Sequence, residues 1–124
     1  MTAAAGKVRN PPMVFALDMD DGTLLAFASA AEAVAHCKAV DVEDGYWRFY
    51  SEDGSPLDPR FEPGDAALPR AYTLERAMSG LWLQERLPEV ATVGGCGLAT
   101  VGELVEVLKI NRGRRAGPKR GSIA

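Results

Sequence analysis

Phe15-Ala16-Leu17-Asp18-Met19-Asp20-Asp21-Gly22-Thr23-Leu24-Leu25-Ala26-Phe27 sets an acidic turn between two apolar runs. Asp-Gly in that setting is a strong hairpin signal, because the turn needs a positive φ that glycine adopts without steric cost. Residues 13–17 and 23–27 are therefore expected to pair as antiparallel strands. Just beyond, Ser29-Ala30-Ala31-Glu32 has the spacing of a capping box, with the serine hydroxyl on the third helical amide and the glutamate reaching back. Ala33, Val34, Cys37 and Val40 follow at helical spacing. They predict a helix that ends near 38–40 and lays this stripe on the sheet.

The chain then repeats the alternation of turn and strand. Asp41-Val42-Glu43-Asp44-Gly45 reads as a turn and 46–50 as an aromatic strand. Ser51-Glu52-Asp53-Gly54-Ser55-Pro56 reads as a second hairpin turn, with 57–61 as its return strand. The two Asp/Glu-rich turns that end in Gly22 and Gly45 echo each other, but two copies do not make a solenoid. Pro63-Gly64-Asp65-Ala66-Ala67-Leu68-Pro69 is a loop by composition, and 71–76 alternates as a strand. Pro88 limits any helix in 81–90 to a short piece, and 91–93 suits a last short strand. Thr100-Val101-Gly102-Glu103 is a second capping box ahead of an apolar stripe at Val101, Leu104, Val105 and Leu108 that runs through Ile110. Hairpins dominate and no long strand-helix-strand run is present, so the expected fold is α+β. An antiparallel sheet of about four to five strands should carry two main helices on one face.

With 124 residues, 47% of them apolar and 25% charged, the chain matches one domain over 13–111. A flexible leader at 1–12 and a flexible basic tail at 112–124 flank it in this reading, because neither has an apolar period. All seventeen acidic residues lie between Asp18 and Glu106, whereas eight of the fourteen Lys and Arg residues lie outside that span. Over the body, 13–111, seven bases against seventeen acids leave −10, against −3 for the whole chain. Such a field favours a cationic partner over a nucleic-acid backbone. The opening residues lack the apolar run of a signal peptide and no stretch reaches membrane-spanning length, so a cytoplasmic protein without membrane contact is expected. In a reducing compartment Cys37 and Cys96 are read as buried thiols.

Several segments resemble reactive motifs and miss in spacing. Residues 15–25 are similar to the opening of haloacid-dehalogenase-type phosphatases, but the pattern puts Met19 at the nucleophile position, and a thioether cannot attack phosphorus. A calcium loop begun at Asp18 has its glycine at position five, not six, and Ser29 where glutamate should close it. His36 is the only histidine, which rules out a multi-histidine metal site; it reads as a helix-surface residue. Gly94-Gly95-Cys96-Gly97 reads as a tight strand-to-helix turn in preference to an anion nest. No catalytic set, metal site or cofactor is expected. Tyr46, Trp47, Phe49 and Tyr50 alternate along one strand, so one pair faces the core and the other is offered to solvent or a partner.

Taken in order, Leu17-Asp18, Asp21-Gly22-Thr23, Ser29 with Glu32-Ala33, Glu43-Asp44-Gly45-Tyr46-Trp47, Glu52-Asp53-Gly54-Ser55-Pro56-Leu57 and Leu87-Pro88-Glu89-Val90 resemble small single-domain bacterial immunity proteins of secreted antibacterial toxin systems. That resemblance implies a cytoplasmic inhibitor of a cognate toxin domain and carries no catalytic residues. Its contact surface would be the acidic turns, Asp20 and Asp21, Glu43 and Asp44, and Glu52 and Asp53, with Trp47 beside them, provided that the turns project from one edge. The alternative reading is a regulatory or subunit domain without catalysis. Oligomeric state is left open.

Overall fold

Val14, Phe15, Ala16 and Leu17 are apolar without alternation, and a strand of that kind must be covered on both sides. In the computed structural model, which describes residues 14–62 and 71–123 and side chains as far as Gly113, it lies inside the sheet. The elements in chain order are β1 (Val14–Asp18), β2 (Thr23–Phe27), α1 (Ala30–His36), α2 (Ala39–Glu43), β3 (Trp47–Ser51), β4 (Pro56–Phe61) and β5 (Tyr72–Arg76). A 3-10 helix (Leu83–Glu89), β6 (Thr92–Gly94) and α3 (Val101–Ile123) complete them. The leader 1–12 and the expected 63–69 loop fall outside the described residues.

The fold is α+β, and its sheet differs from the expectation in two respects. Six strands run in the order β5-β4-β3-β1-β2-β6, and β6 is parallel to β2 while every other pair is antiparallel. The mixed register has a local cause at Gly22. Its carbonyl accepts the Ala91 and Thr92 amides at 2.7 and 3.4 Å, so β6 begins where β2 begins and runs the same way.

The helices cover both faces, not one. Val14 and Ala16 look toward α1 and α2, in a cluster with Ala33, Cys37, Val42, Phe49 and Tyr72. Phe15 and Leu17 look the other way, onto Leu24, Ala26, Tyr50, Leu83 of the 3-10 helix, and Leu104 and Leu108 of α3. Burying each large apolar side chain contributes roughly 1.5–3 kcal/mol. A one-residue slip of β1 would exchange its two faces and mismatch both cores.

The first helix is split in two. Ser29 caps α1 by accepting the Glu32 amide at 3.2 Å, but Cys37 and Lys38 are extended, so the chain leaves the helix at His36. The Tyr72 hydroxyl, reaching across from β5, donates to the Cys37 carbonyl and gives that buried end of the helix a partner. Val40, expected in the core stripe, is 60% exposed, and Val42 of α2 is buried in its stead. The 41–45 turn is thus mostly the end of α2. At α3 the second capping box is complete: the Glu103 amide donates to Thr100 Oγ1, and the Glu103 carboxylate accepts the Ala99 and Thr100 amides at 2.7 and 3.1 Å. The helix passes Ile110, where the apolar stripe ends, and continues to Ile123, so the basic residues expected as a tail lie on a helical backbone. Polar contacts carry the first part of the extension: Asn111 Nδ2 donates to the Glu52 carbonyl at 2.8 Å, and the Arg112 guanidinium lies 4.9 Å over the Trp82 ring. A hydrophobic period cannot register such contacts.

Gly95 and Gly97 separate two costs that a glycine can avoid. Both have positive φ, +89° and +80°, but a Cβ at Gly95 would strike the Ala26 backbone carbonyl, while one at Gly97 meets nothing within 4 Å. Gly97→Ala should lose about 1 kcal/mol to the left-handed backbone alone. Gly95→Ala should lose more than about 2 kcal/mol, because a strand carbonyl cannot move aside. Urea denaturation midpoints of the two variants test the order; equal losses would refute it.

Candidate functional site

Two of the three acidic turns meet at one end of the sheet. Register places Asp18 opposite Trp47, and the Met19 amide donates to the Tyr46 carbonyl at 2.7 Å, which joins the β1–β2 turn to the segment between α2 and β3. The first turn holds its own shape: Asp18 Oδ1 accepts the Asp20 amide, Asp21 Oδ1 accepts the Thr23 amide, and Gly22 takes φ +79°. Asp20, Asp21, Glu43 and Asp44 are all exposed there. Beside them Tyr46 is 48% exposed, and Val40 adds apolar surface on α2. The sequence pattern had already singled out Tyr46 as one of the alternating aromatics; Val40 carried a misleading signal, its helical spacing.

The third turn is elsewhere. Glu52 and Asp53 follow the far end of β3, roughly 13 Å away at about 3.3 Å per residue. This turn is clamped from several sides. Asp53, 7% exposed, accepts hydrogen bonds from the Ser51 and Ser55 hydroxyls at 2.6 and 2.8 Å and from the Ser55 amide at 3.1 Å. Its carbonyl accepts Gln84 Nε2, the Glu52 carbonyl accepts Asn111, and the Gly54 carbonyl accepts the Leu83 amide. The condition that the three turns project from one edge is met by the first two only. Asp53 organises the packing of the hairpin against the 3-10 helix and α3.

Trp47 is half-buried on the α1 face, where His36 sits between two rings, 5.5 Å from Phe27 and 6.0 Å from Trp47. His36 is on the helix surface as expected, with an aromatic setting that a lone histidine in a sequence does not announce. Both cysteines are free thiols and Cys37 is buried, as expected, whereas Cys96 is exposed. Cys96 has a φ of +54° between two glycines of positive φ, in a tight turn. Burial, with Asp18 and Asp41 nearby, pushes the Cys37 thiol up to about 12. Burial and then the Glu32 carboxylate also raise Cys96, so neither thiol is poised as a nucleophile. Among the described residues no group of three or more His, Cys, Asp or Glu side chains could hold a metal ion, and no helix is long and apolar enough to cross a membrane.

A second feature escaped the sequence reading altogether. Strands β3 and β4 pair only through Phe49 with Leu57 and Tyr50 with Pro56, and then separate. Continuing that register would set Trp47 opposite Pro59. Ser51 donates to the β4 side and the Tyr46 carbonyl faces β1, so by alternation the Trp47 amide and carbonyl point at β4. Pro59 has no N–H to donate to the Trp47 carbonyl, and the ladder stops. The gap is a slot of about 170 Å³ whose walls include Trp47, Arg48, Tyr50, Pro59 and Arg86.

No protein-family model, curated protein or solved structure matches the chain. The geometry stands alone.

The titrating groups give a pH test of this interior. Burial raises Tyr72 to about 12, as it does Cys37, from ordinary values of 10.0 and 9.0. For both groups the unfolded chain loses its proton first, so their contribution to stability is complete below about pH 9 and is lost as pH climbs toward 12. Folded protein at pH 8 should react with a thiol reagent at Cys96 alone, and unfolding should release Cys37. Stability from urea titrations should fall steadily between pH 9 and 12, less steeply in Cys37→Ala; a flat profile would contradict this account.

Proposed function

We propose that the chain is a protein-binding module without catalysis, whose acidic end docks on a cationic protein surface. One observation carries this reading: the Met19–Tyr46 hydrogen bond and the Asp18–Trp47 register bring Asp20, Asp21, Glu43 and Asp44 together around the exposed ring of Tyr46. An aromatic anchor within a ring of charge is a productive arrangement for binding. The ring supplies buried area at low entropic cost, and the carboxylates steer the encounter and reject partners of the same sign. The body charge of −10 extends that steering beyond contact distance. Resemblance to immunity proteins suggests the partner class, a cognate secreted antibacterial toxin with a basic active-site cleft, inhibited by occlusion. Asp53 is withdrawn from the proposed contact set because its carboxylate is buried and hydrogen-bonded, and Glu52 because it sits at the other end of the sheet.

The test begins with affinity capture from the native host and continues with titrations of the purified partner. Asp20→Lys/Asp21→Lys and Glu43→Lys/Asp44→Lys should each weaken binding about tenfold or more, roughly 1.4 kcal/mol, and flatten its salt dependence. Glu52→Lys should change affinity less than twofold. Unchanged affinity in both double variants removes this end from the interface. A housekeeping assembly as the captured partner would favour the regulatory or subunit reading.

A further inference from the structure

We propose that the slot between β3 and β4 is a binding site for a small organic anion, one carboxylate or phosphate group on a compact apolar body. The slot passes through the sheet. Trp47 and Leu57 belong to the α1 side, whereas Arg48, Tyr50 and Arg86 belong to the α3 side. One mouth is therefore apolar, and the other sets Arg48 and Arg86 beside Asp58.

Two separate needs converge on an acceptor at the arginine-lined mouth. Arg86 has a side chain only 19% exposed; Nη1 reaches both Glu89 oxygens at 3.2 Å, but its Nε is buried with no hydrogen-bond partner. An unpaired buried donor of a charged group costs about 1–3 kcal/mol or more, and an incoming oxyanion removes that penalty. Arg48 has no carboxylate within ion-pair distance among the described residues, so its guanidinium is available for a second, charge-assisted contact. The Trp47 amide faces the same gap and reports on its occupancy. Burial raises the Tyr50 phenol, while the charges of Arg86 and then Arg48, and a side-chain hydrogen bond with Arg86, pull the other way.

Size and charge limit the ligand. About 170 Å³ equals the liquid-volume share of roughly six waters, enough for a single-ring acid and too small for a nucleotide. Asp58 also lines the slot and Glu89 is already bound to Arg86, so the local charge is balanced and the hydrogen-bond geometry, not net attraction, must supply affinity. A dissociation constant just below about 1 mM is the expected scale.

Titration of the full chain with benzoate, benzamide and inorganic phosphate, followed by ¹⁵N–¹H spectra that include the arginine Nε region, tests the site. Benzoate should shift the Arg86 Nε–H and Trp47 amide signals to saturation, and equal concentrations of neutral benzamide should leave them in place. Saturation by phosphate instead would keep the site and identify its headgroup. Arg48→Gln should weaken benzoate at least fivefold, and Asp58→Asn, which removes a repelling carboxylate, should tighten it. Linear shifts with both anions, equal response to benzamide, or indifference to both substitutions would overturn the proposal.

Discussion

β1 has no free face. Val14, Phe15, Ala16 and Leu17 are each at most 5% exposed, and a strand in that condition requires hydrogen-bonded neighbours on both edges and apolar cover on both sides. β2 and β3 supply the edges, and α1 with α2 and the 3-10 helix with α3 supply the cover. The layered architecture follows from that one requirement. So does the position of the acidic end, because the turn leaving β1 and the segment entering β3 must lie together when their strands pair antiparallel.

Function is read from the places where regular structure stops. At the acidic end two short connections are stitched by a backbone hydrogen bond, which leaves four carboxylates and a tyrosine on the surface. In the slot a proline at a position facing β3 withholds one donor, and the strands part. The two features differ in sign and scale. One sets four carboxylates around a surface tyrosine, and the other lines a gap of about 170 Å³ with arginine donors.

Local chemistry made much of the fold legible in the sequence. The caps at Ser29 and Thr100, the Asp-Gly hairpin and the limit that Pro88 sets on its helix are governed by neighbours within about four residues, and all lie where their spacing predicts. The errors share a cause in distant contacts. Val40 has the spacing of a core residue and is exposed, because Tyr72, from a strand 32 positions later, receives the end of α1 and the chain restarts as α2. Asp53 looks like a surface acid and is buried, because two serines and Gln84 surround it with donors. The Arg86 orphan donor has no sequence signature at all, since β4 and β5 lie between Arg48 and Arg86 in the chain.

The sequence by itself determined the α+β class, the strand and helix candidates and the acidic body, since these depend on local propensity, apolar period and summed charge. Only the tertiary structure decided that β6 would join in parallel, that helices would cover both faces, that two acidic turns would meet while the third was buried at the far end, and that β3 and β4 would open into a slot. Those outcomes depend on which carbonyl meets which amide across long stretches of chain. Residue types along a sequence do not encode such pairings until the two cores of β1 have closed around it.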